Sequence, residues 1–554
     1  MTAAGAVTGA PLRRDFCPTA NPFKRGAMYR NIFLVGGWTV ASRLTGFLRD
    51  IALAALLGGG ALNDAYVAAI KLPNQFRQIF GEGSFNAAYL PTYTRVLEAS
   101  GPEEASRFAS QVFTLLVLSQ IALLGLVYLD MPLLVRLTSP GFVSQPEKFA
   151  QAVAMSRIMF PYIAFIAVFA LHQGTLNANN AWGSPAFAPA AANVCMIAFL
   201  SFAAFFPKLS PGVASMASWG FLASGATQLA IVMADARRRG LLERLTWPRW
   251  TPDIRRFFWM LGPAIGISAS YQIGALADQI VGSLLPTGGL SAISYADRLY
   301  QLPGGVIVIA TGSVLLREMS ALVALGDERG ALAAQNRAAS LTLALGAPFV
   351  VAFLLIPDLI VAVAFERGAF TANATHQAAG VLAAYALGMP ALLVDRITSA
   401  SFLSRGDTAT PVKAALAAAL VNILLKVALM GSLAQVGLAL ATSVGAWLNW
   451  GLLVWFARRS KFERPAAPLD RAARLVASGL LLGLAFYAGQ RFFAPMLSGF
   501  SRFREETLLL ILLVAGTILY AGLILALLGR DWLKNLLRDA GTRTAGPDVV
   551  SYEI

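Results

Sequence analysis

Apolar residues recur along this chain in long runs, separated by short polar segments rich in proline, glycine and charge. Fourteen runs are marked at approximately 31–57, 62–93, 107–129, 150–178, 184–206, 213–236, 256–285, 290–316, 335–356, 375–404, 410–430, 434–457, 472–490 and 506–529. A helix needs about 20 apolar residues to cross a bilayer. A membrane β-barrel would alternate at every second residue, and these runs do not. The pattern predicts an all-α polytopic membrane protein with 14 transmembrane helices.

Ordered landmarks point to an internal repeat. Gly36 and Gly262, near the starts of spans 1 and 7, are 226 positions apart, as are Pro185 and Pro411 at the starts of spans 5 and 11. Leu72-Pro73 and Leu302-Pro303, in spans 2 and 8, differ by 230. Six helices per repeat preserve orientation, so two six-helix lobes would be related by an axis along the membrane normal. The expected layout is a tail (1–27), an N-lobe (28–238), a C-lobe (239–458), two added helices (459–530) and a second tail (531–554). The first tail holds Arg13, Arg14, Asp15, Lys24 and Arg25 and lacks the apolar core of a signal peptide. Met28 is an alternative start.

Composition agrees: 57% of residues are hydrophobic and only 13% charged, against about 25% charged in soluble domains. The net charge of +15 would suit nucleic acid, but the basic residues cluster between spans. Of 44 Lys and Arg, 29 lie in or beside connections on the N-terminal side, 7 on the other and 8 inside spans. By the positive-inside rule both termini are cytoplasmic, and no nucleic-acid partner is expected. Cys17 and Cys195 have no metal-type spacing, and His172 and His376 are far apart, so no metal site or cofactor is expected.

Charge inside the spans is the remaining chemistry. SRLTGFLRD (42–50) puts Arg43, Arg49 and Asp50 in span 1, and span 2 carries Asp64, Lys71, Arg77 and Glu82. Each such residue costs about 2.5–3.5 kcal/mol at the bilayer centre and normally faces a cavity or the bundle interior. On a straight helix Asp64, Lys71 and Glu82 share a face and Arg77 falls about 140° away. Span 8 adds Asp297 and Arg298 in YADRLYQLPGG. Local ion pairing is the alternative for Asp50 and Lys71. Three arginines on spans 1 and 2 exceed what nearby acids neutralise, and a guanidinium fork suits a phosphate-bearing or carboxylate-bearing solute. Gly46, Pro73 and Pro303 are candidate hinges. Asp278, Asn422 and Lys426 form a candidate ion-coupling group, with snorkelling of Lys426 as the alternative.

The same residues carry a resemblance. SRLTGFLRD, NDAYVAAIKLPNQFRQIFGEGSFNAAYLPTY (63–93), FPYI (160–163), LNANNAWGSPAFAP (176–189), YADRLYQLPGGV (295–306), FERGAF (365–370) and TPVK (410–413) resemble, in order, the MurJ/MviN family of lipid II flippases. The resemblance implies the multidrug/oligosaccharidyl-lipid/polysaccharide exporter fold, a transporter rather than an enzyme, and a V-shaped central cavity. It implies a substrate-binding set of Arg43, Arg49, Arg77 and Arg298, joined by Asp64, a functionally sensitive acid, and Glu82, the acid of the EG motif. It also implies a lipid-tail groove at spans 13 and 14 and a bacterial inner membrane; a monomer is expected, with cell-wall synthesis proteins as candidate partners. Gln301 stands where some relatives have glutamate, and Lys426 where a sodium-binding relative has an acid, so the coupling ion stays open. Flipping of another polyprenyl-pyrophosphate-linked precursor is the nearest alternative. A multidrug exporter would favour an apolar or acidic cavity, and a glycosyltransferase needs carboxylate or nucleotide motifs that the loops lack.

Overall fold

The computed structural model describes residues 22–81, 84–459, 469–497 and 503–529, so Glu82 and most of both expected tails lie outside the described residues. The first helix begins at Pro22, inside the stretch expected as a tail. The first elements are α1 (Pro22–Leu57), α2 (Ala61–Gly81), α3 (Ser84–Leu129), α4 (Met131–Thr138), a 3-10 turn (Pro140–Ser144), α5 (Pro146–Met159) and α6 (Tyr162–Ala178). Next come α7 (Gly183–Phe205) and α8 (Val213–Arg238), and then a non-helical strap, 241–251. The remainder is α9 (Pro252–Ser283), α10 (Gly289–Ala324), α11 (Glu328–Leu355), α12 (Pro357–Phe365), α13 (Ala372–Leu403), α14 (Ala409–Arg459), α15 (Leu469–Met496) and α16 (Arg504–Leu528).

Local chemistry sets the breaks. The helical path of α3 is interrupted at Gly101 (φ 84°, ψ 176°), a conformation glycine adopts without a Cβ clash. Expected span 4 is two helices, because Pro161 has no N–H to continue α5 into α6. Expected spans 11 and 12 are the two parts of α14, which turns at Ala434 (φ 45°, ψ −128°). The candidate hinges Gly46, Pro73 and Pro303 lie within unbroken α1, α2 and α10.

Among the described residues, nine helical segments are long and apolar enough to cross a membrane. Charged and polar residues interrupt the apolar windows of the arginine-bearing helices α1 and α2, which are not among those segments. Burial is inverted relative to a soluble protein. Leu118, Ile121, Leu126, Leu480, Leu484, Leu510 and Ile518 are exposed, while Asp64, Lys148, His172 and Lys426 are buried. Such an apolar exterior matches a hydrocarbon environment.

α1 packs along α7, α2 on α5 and α6, α3 on α6, and α7 on α8. Later in the chain α10 packs on α13 and α11, and α13 on α14. α9 crosses between the two groups, touching both α3 and α14. α15 and α16 pack on α11 and α12 through Leu482, Phe486, Leu508, Leu512 and Tyr520. Element boundaries repeat with one offset. α1 and α9 end at 57 and 283; α4 and α12 start at 131 and 357, α5 and α13 at 146 and 372, α7 and α14 at 183 and 409, each pair 226 apart.

Candidate substrate cavity

A cavity of about 400 Å³ lies between α1, α2, α7, α8 and α10, within the usual size range of a ligand pocket. Arg43 and Arg49 reach it from α1, Arg77 from α2 and Arg298 from α10. Among the described residues, Asp50 is the one carboxylate in its lining. Four guanidinium groups against one carboxylate leave a cationic surface, which suits an anionic group with several oxygens.

The arginines are held differently. Arg49 donates through Nε and Nη2 to Asp50 Oδ1 at 3.1 and 2.8 Å, and through Nη1 to Asn193 Oδ1 at 2.9 Å. Asn193, on α7, donates its amide to Ser42 O at 3.0 Å and Thr45 Oγ1 at 3.3 Å, fixing its own orientation against α1. A Cβ at Gly46 would lie 3.4 Å from the Asn193 amide nitrogen, an ordinary contact, so a small side chain also fits there. Arg298 reaches the other Asp50 oxygen at 3.5 Å. Arg77 donates to Asn74 Oδ1 at 3.3 Å. The Arg43 guanidinium lies against Gly305 of α10, where a Cβ would come within 2.9 Å of Nη1. Arg43 is exposed and Arg49 half-buried.

Asp64 is elsewhere. It is fully buried and satisfied by Lys148 Nζ at 2.7 Å, Gly288 N at 2.8 Å, Ser291 N at 2.8 Å and Ser291 Oγ at 2.6 Å. It therefore ties α2 to α5 and caps the start of α10, and it does not line the cavity. Lys148 also lies over the Phe142 ring at 4.4 Å. The same end of the bundle is knitted elsewhere: Ala369 N donates to Ala55 O at 2.7 Å, and Gly141 N to Ser283 Oγ at 3.1 Å. Gly58 and Gly368 are required there, because a Cβ at either would strike the backbone of Ala369 or Ala55. The bundle is closed at this end.

In the candidate ion-coupling group, Lys426 is buried and ion-paired with Asp278 across α14 and α9. Asn422 instead packs against Gly445 in the second part of α14. Gln301 donates to Asp297 Oδ2 at 2.5 Å. Lys71 is half-buried and outside the cavity lining. Asn193, Tyr66, Tyr162 and Gln228 also line the cavity. Asn193 and Gln228 carried no sequence signal, because an isolated Asn or Gln in an apolar run reads as an interhelical hydrogen-bonding group; Tyr66 and Tyr162 lie in motifs that carry the resemblance, with no role assigned to them there. Lys148 was equally silent, being one basic residue at a span end.

A helical membrane bundle with internally repeated boundaries and a cationic central cavity is the architecture of a transporter. The sequence model described as lipid II flippase MurJ matches residues 53–507. "Probable lipid II flippase MurJ" of Rhizobium tropici is 36% identical over 88% of this chain and 92% of its own length. The same-named protein of Rhizobium meliloti (strain 1021) is also 36% identical, over the same shares of each chain. Among solved structures, "Lipid II flippase MurJ, inward closed conformation" superimposes with a TM-score of 0.74 at 25% identity, covering 91% of this chain and 100% of its own. An inward-facing multidrug transporter of the MATE family superimposes with a TM-score of 0.61 at 13% identity, covering 76% and 94%, which shows a shared fold alone. The chain belongs to the lipid II flippase MurJ family, a family of transporters and not of enzymes.

Proposed function

We propose that this chain carries lipid II, the undecaprenyl-pyrophosphate-linked precursor of peptidoglycan, from the cytoplasmic to the periplasmic leaflet by alternating access. The observation that carries this is the convergence of Arg43, Arg49, Arg77 and Arg298 on one cavity. Arginine forks match pyrophosphate oxygens bidentately and stay charged when partly dehydrated, replacing hydration that the headgroup loses on leaving water. The repeated boundaries support two six-helix lobes, α1–α8 and α9–α14, within a fourteen-span bundle; the exposed apolar faces of α15 and α16 support a lipid-tail groove. The Lys and Arg distribution supports cytoplasmic termini, and membership of the family supports a bacterial inner membrane. The closed end, with Asp64 and the α1–α2 turn, then faces the periplasm, and the lobes must part there to release the headgroup. Arg49, Asp50 and Arg298 bridge α1 and α10, so pyrophosphate would compete with a carboxylate that joins the lobes. Lys426 fills the space beside Asp278 with its own ammonium, which favours membrane potential or protons over a bound metal cation as the drive.

The test is translocation of lipid II in proteoliposomes. Wild-type protein is expected to expose lipid II on the far leaflet, chemically unchanged. Arg43→Gln, Arg49→Gln and Arg298→Gln proteins, inserted at equal levels, are expected to lose that exposure. Retained translocation in all three overturns the proposal, and equal transport of an unrelated polyprenyl-pyrophosphate sugar assigns a broader substrate.

A further inference from the structure

The strap 241–251 and the first turns of α9 form a second cationic surface away from the cavity. Its inner side is pinned. Glu243 is buried against His172 at 2.6 Å and accepts from Thr175 Oγ1 at 2.7 Å. Arg244 N donates to Ser110 Oγ at 3.1 Å and Thr246 N to Thr114 Oγ1 at 3.0 Å, both on α3. Asp253 pairs with Arg95 at 2.5 Å, and Ile254 and Phe257 are buried in the core that includes Phe85, Tyr89 and Phe108. Both acids between 241 and 259 are thus committed to inward partners.

The outer side displays the rest. Trp247, Trp250 and Trp259 are 88%, 71% and 73% exposed, and Arg244, Arg249, Arg255 and Arg256 are exposed beside them. Trp250 stacks on Phe258 with centroids 5.6 Å apart. A groove of about 610 Å³ runs between Trp250, Thr251, Pro252, Arg255, Arg256 and Trp259. Indoles fixed outward prefer the level of lipid headgroups, and guanidinium groups between them are placed for a phosphate. The basic excess, with Asp253 paired to Arg95 and Glu243 buried, selects a net-negative headgroup over a zwitterionic one.

We infer that this groove is a binding site for an anionic phospholipid headgroup. That the lipid belongs to the cytoplasmic leaflet rests on the orientation proposed above. Because the strap joins α8 to α9, a bound lipid would hold the junction between the proposed lobes at the membrane surface. The site needs no lipid II, so it stands or fails separately from the cavity.

The test is titration of the full-length protein in nanodiscs with phosphatidylglycerol and phosphatidylcholine, bound lipid being counted by intact-mass spectrometry. The reading does not depend on leaflet, so it fails separately from the orientation. Phosphatidylglycerol is expected to bind in preference, and Arg255→Gln/Arg256→Gln protein to bind it about thirtyfold more weakly, each cation near an anionic surface contributing about fivefold. An unchanged Kd in the double variant, or equal affinity for phosphatidylcholine, overturns the site. A second measurement keeps both arginines: brominated phosphatidylglycerol is expected to quench wild-type tryptophan fluorescence, with the increment lost in Trp250→Phe/Trp259→Phe protein. An increment that persists there also overturns it.

Discussion

Asp50 is shared between arginines of two helices, Arg49 on its own helix and Arg298 on α10. Sharing matters because a buried carboxylate with one partner removed is costly, whereas a phosphate entering the cavity can replace it on both arginines. Geometry as well as charge should therefore be needed. Arg49→Lys keeps the charge but loses the fork that spans Asp50 and Asn193; lipid II translocation in proteoliposomes is expected to fall about tenfold. Asn193→Ala removes one hydrogen bond to Arg49 and two to α1, at Ser42 and Thr45, with an expected loss of about fivefold and little change in protein yield. A larger loss for Asn193→Ala than for Arg49→Lys would show that the asparagine does more than orient Arg49.

At the scale of the element, Asp64 and Lys148 hold three helices together with both charges buried. Removing one partner strands the other, so Lys148→Met is expected to destabilise the protein by about 3–5 kcal/mol, read as lowered thermal stability in detergent. Lys148→Met with Asp64→Leu should recover part of that loss, since an apolar pair needs no compensation. Ala434 is the opposite case, a residue whose left-handed backbone a Cβ disfavours. Ala434→Gly is expected to relieve that strain and raise stability by about 1 kcal/mol, measured in the same melting assay.

For the whole molecule, the closed end places Ala55 and Ala369 in direct backbone contact, although they are far apart in sequence. If the lobes part there, joining them must stop transport. Ala55→Cys/Ala369→Cys protein is expected to lose translocation on oxidation and regain it with dithiothreitol, while each single variant is unaffected. Undiminished transport by the fully oxidised protein would mean that this end does not open. The strap and its groove belong to the same scale, because they lie where α8 hands over to α9 and touch neither the cavity nor the closed end.

Much of this was legible in one dimension. Bilayer thickness imposes a long apolar period, so the class and most helix positions follow from hydropathy alone. The 226-residue offset shows in proline and glycine landmarks as well as in helix boundaries, because both mark where helices start and turn. Intramembrane arginines announce themselves by their cost, and the motif order around them carries the family. Tertiary structure decided which charges meet. Asp64 and Asp50 read alike in sequence, yet Asp64 caps α10 beside Lys148 while Asp50 lines the cavity. A carboxylate's role depends on which donors surround it, and Ser291, Arg298 and Asn193 arrive from distant helices whose packing angles hydropathy does not encode.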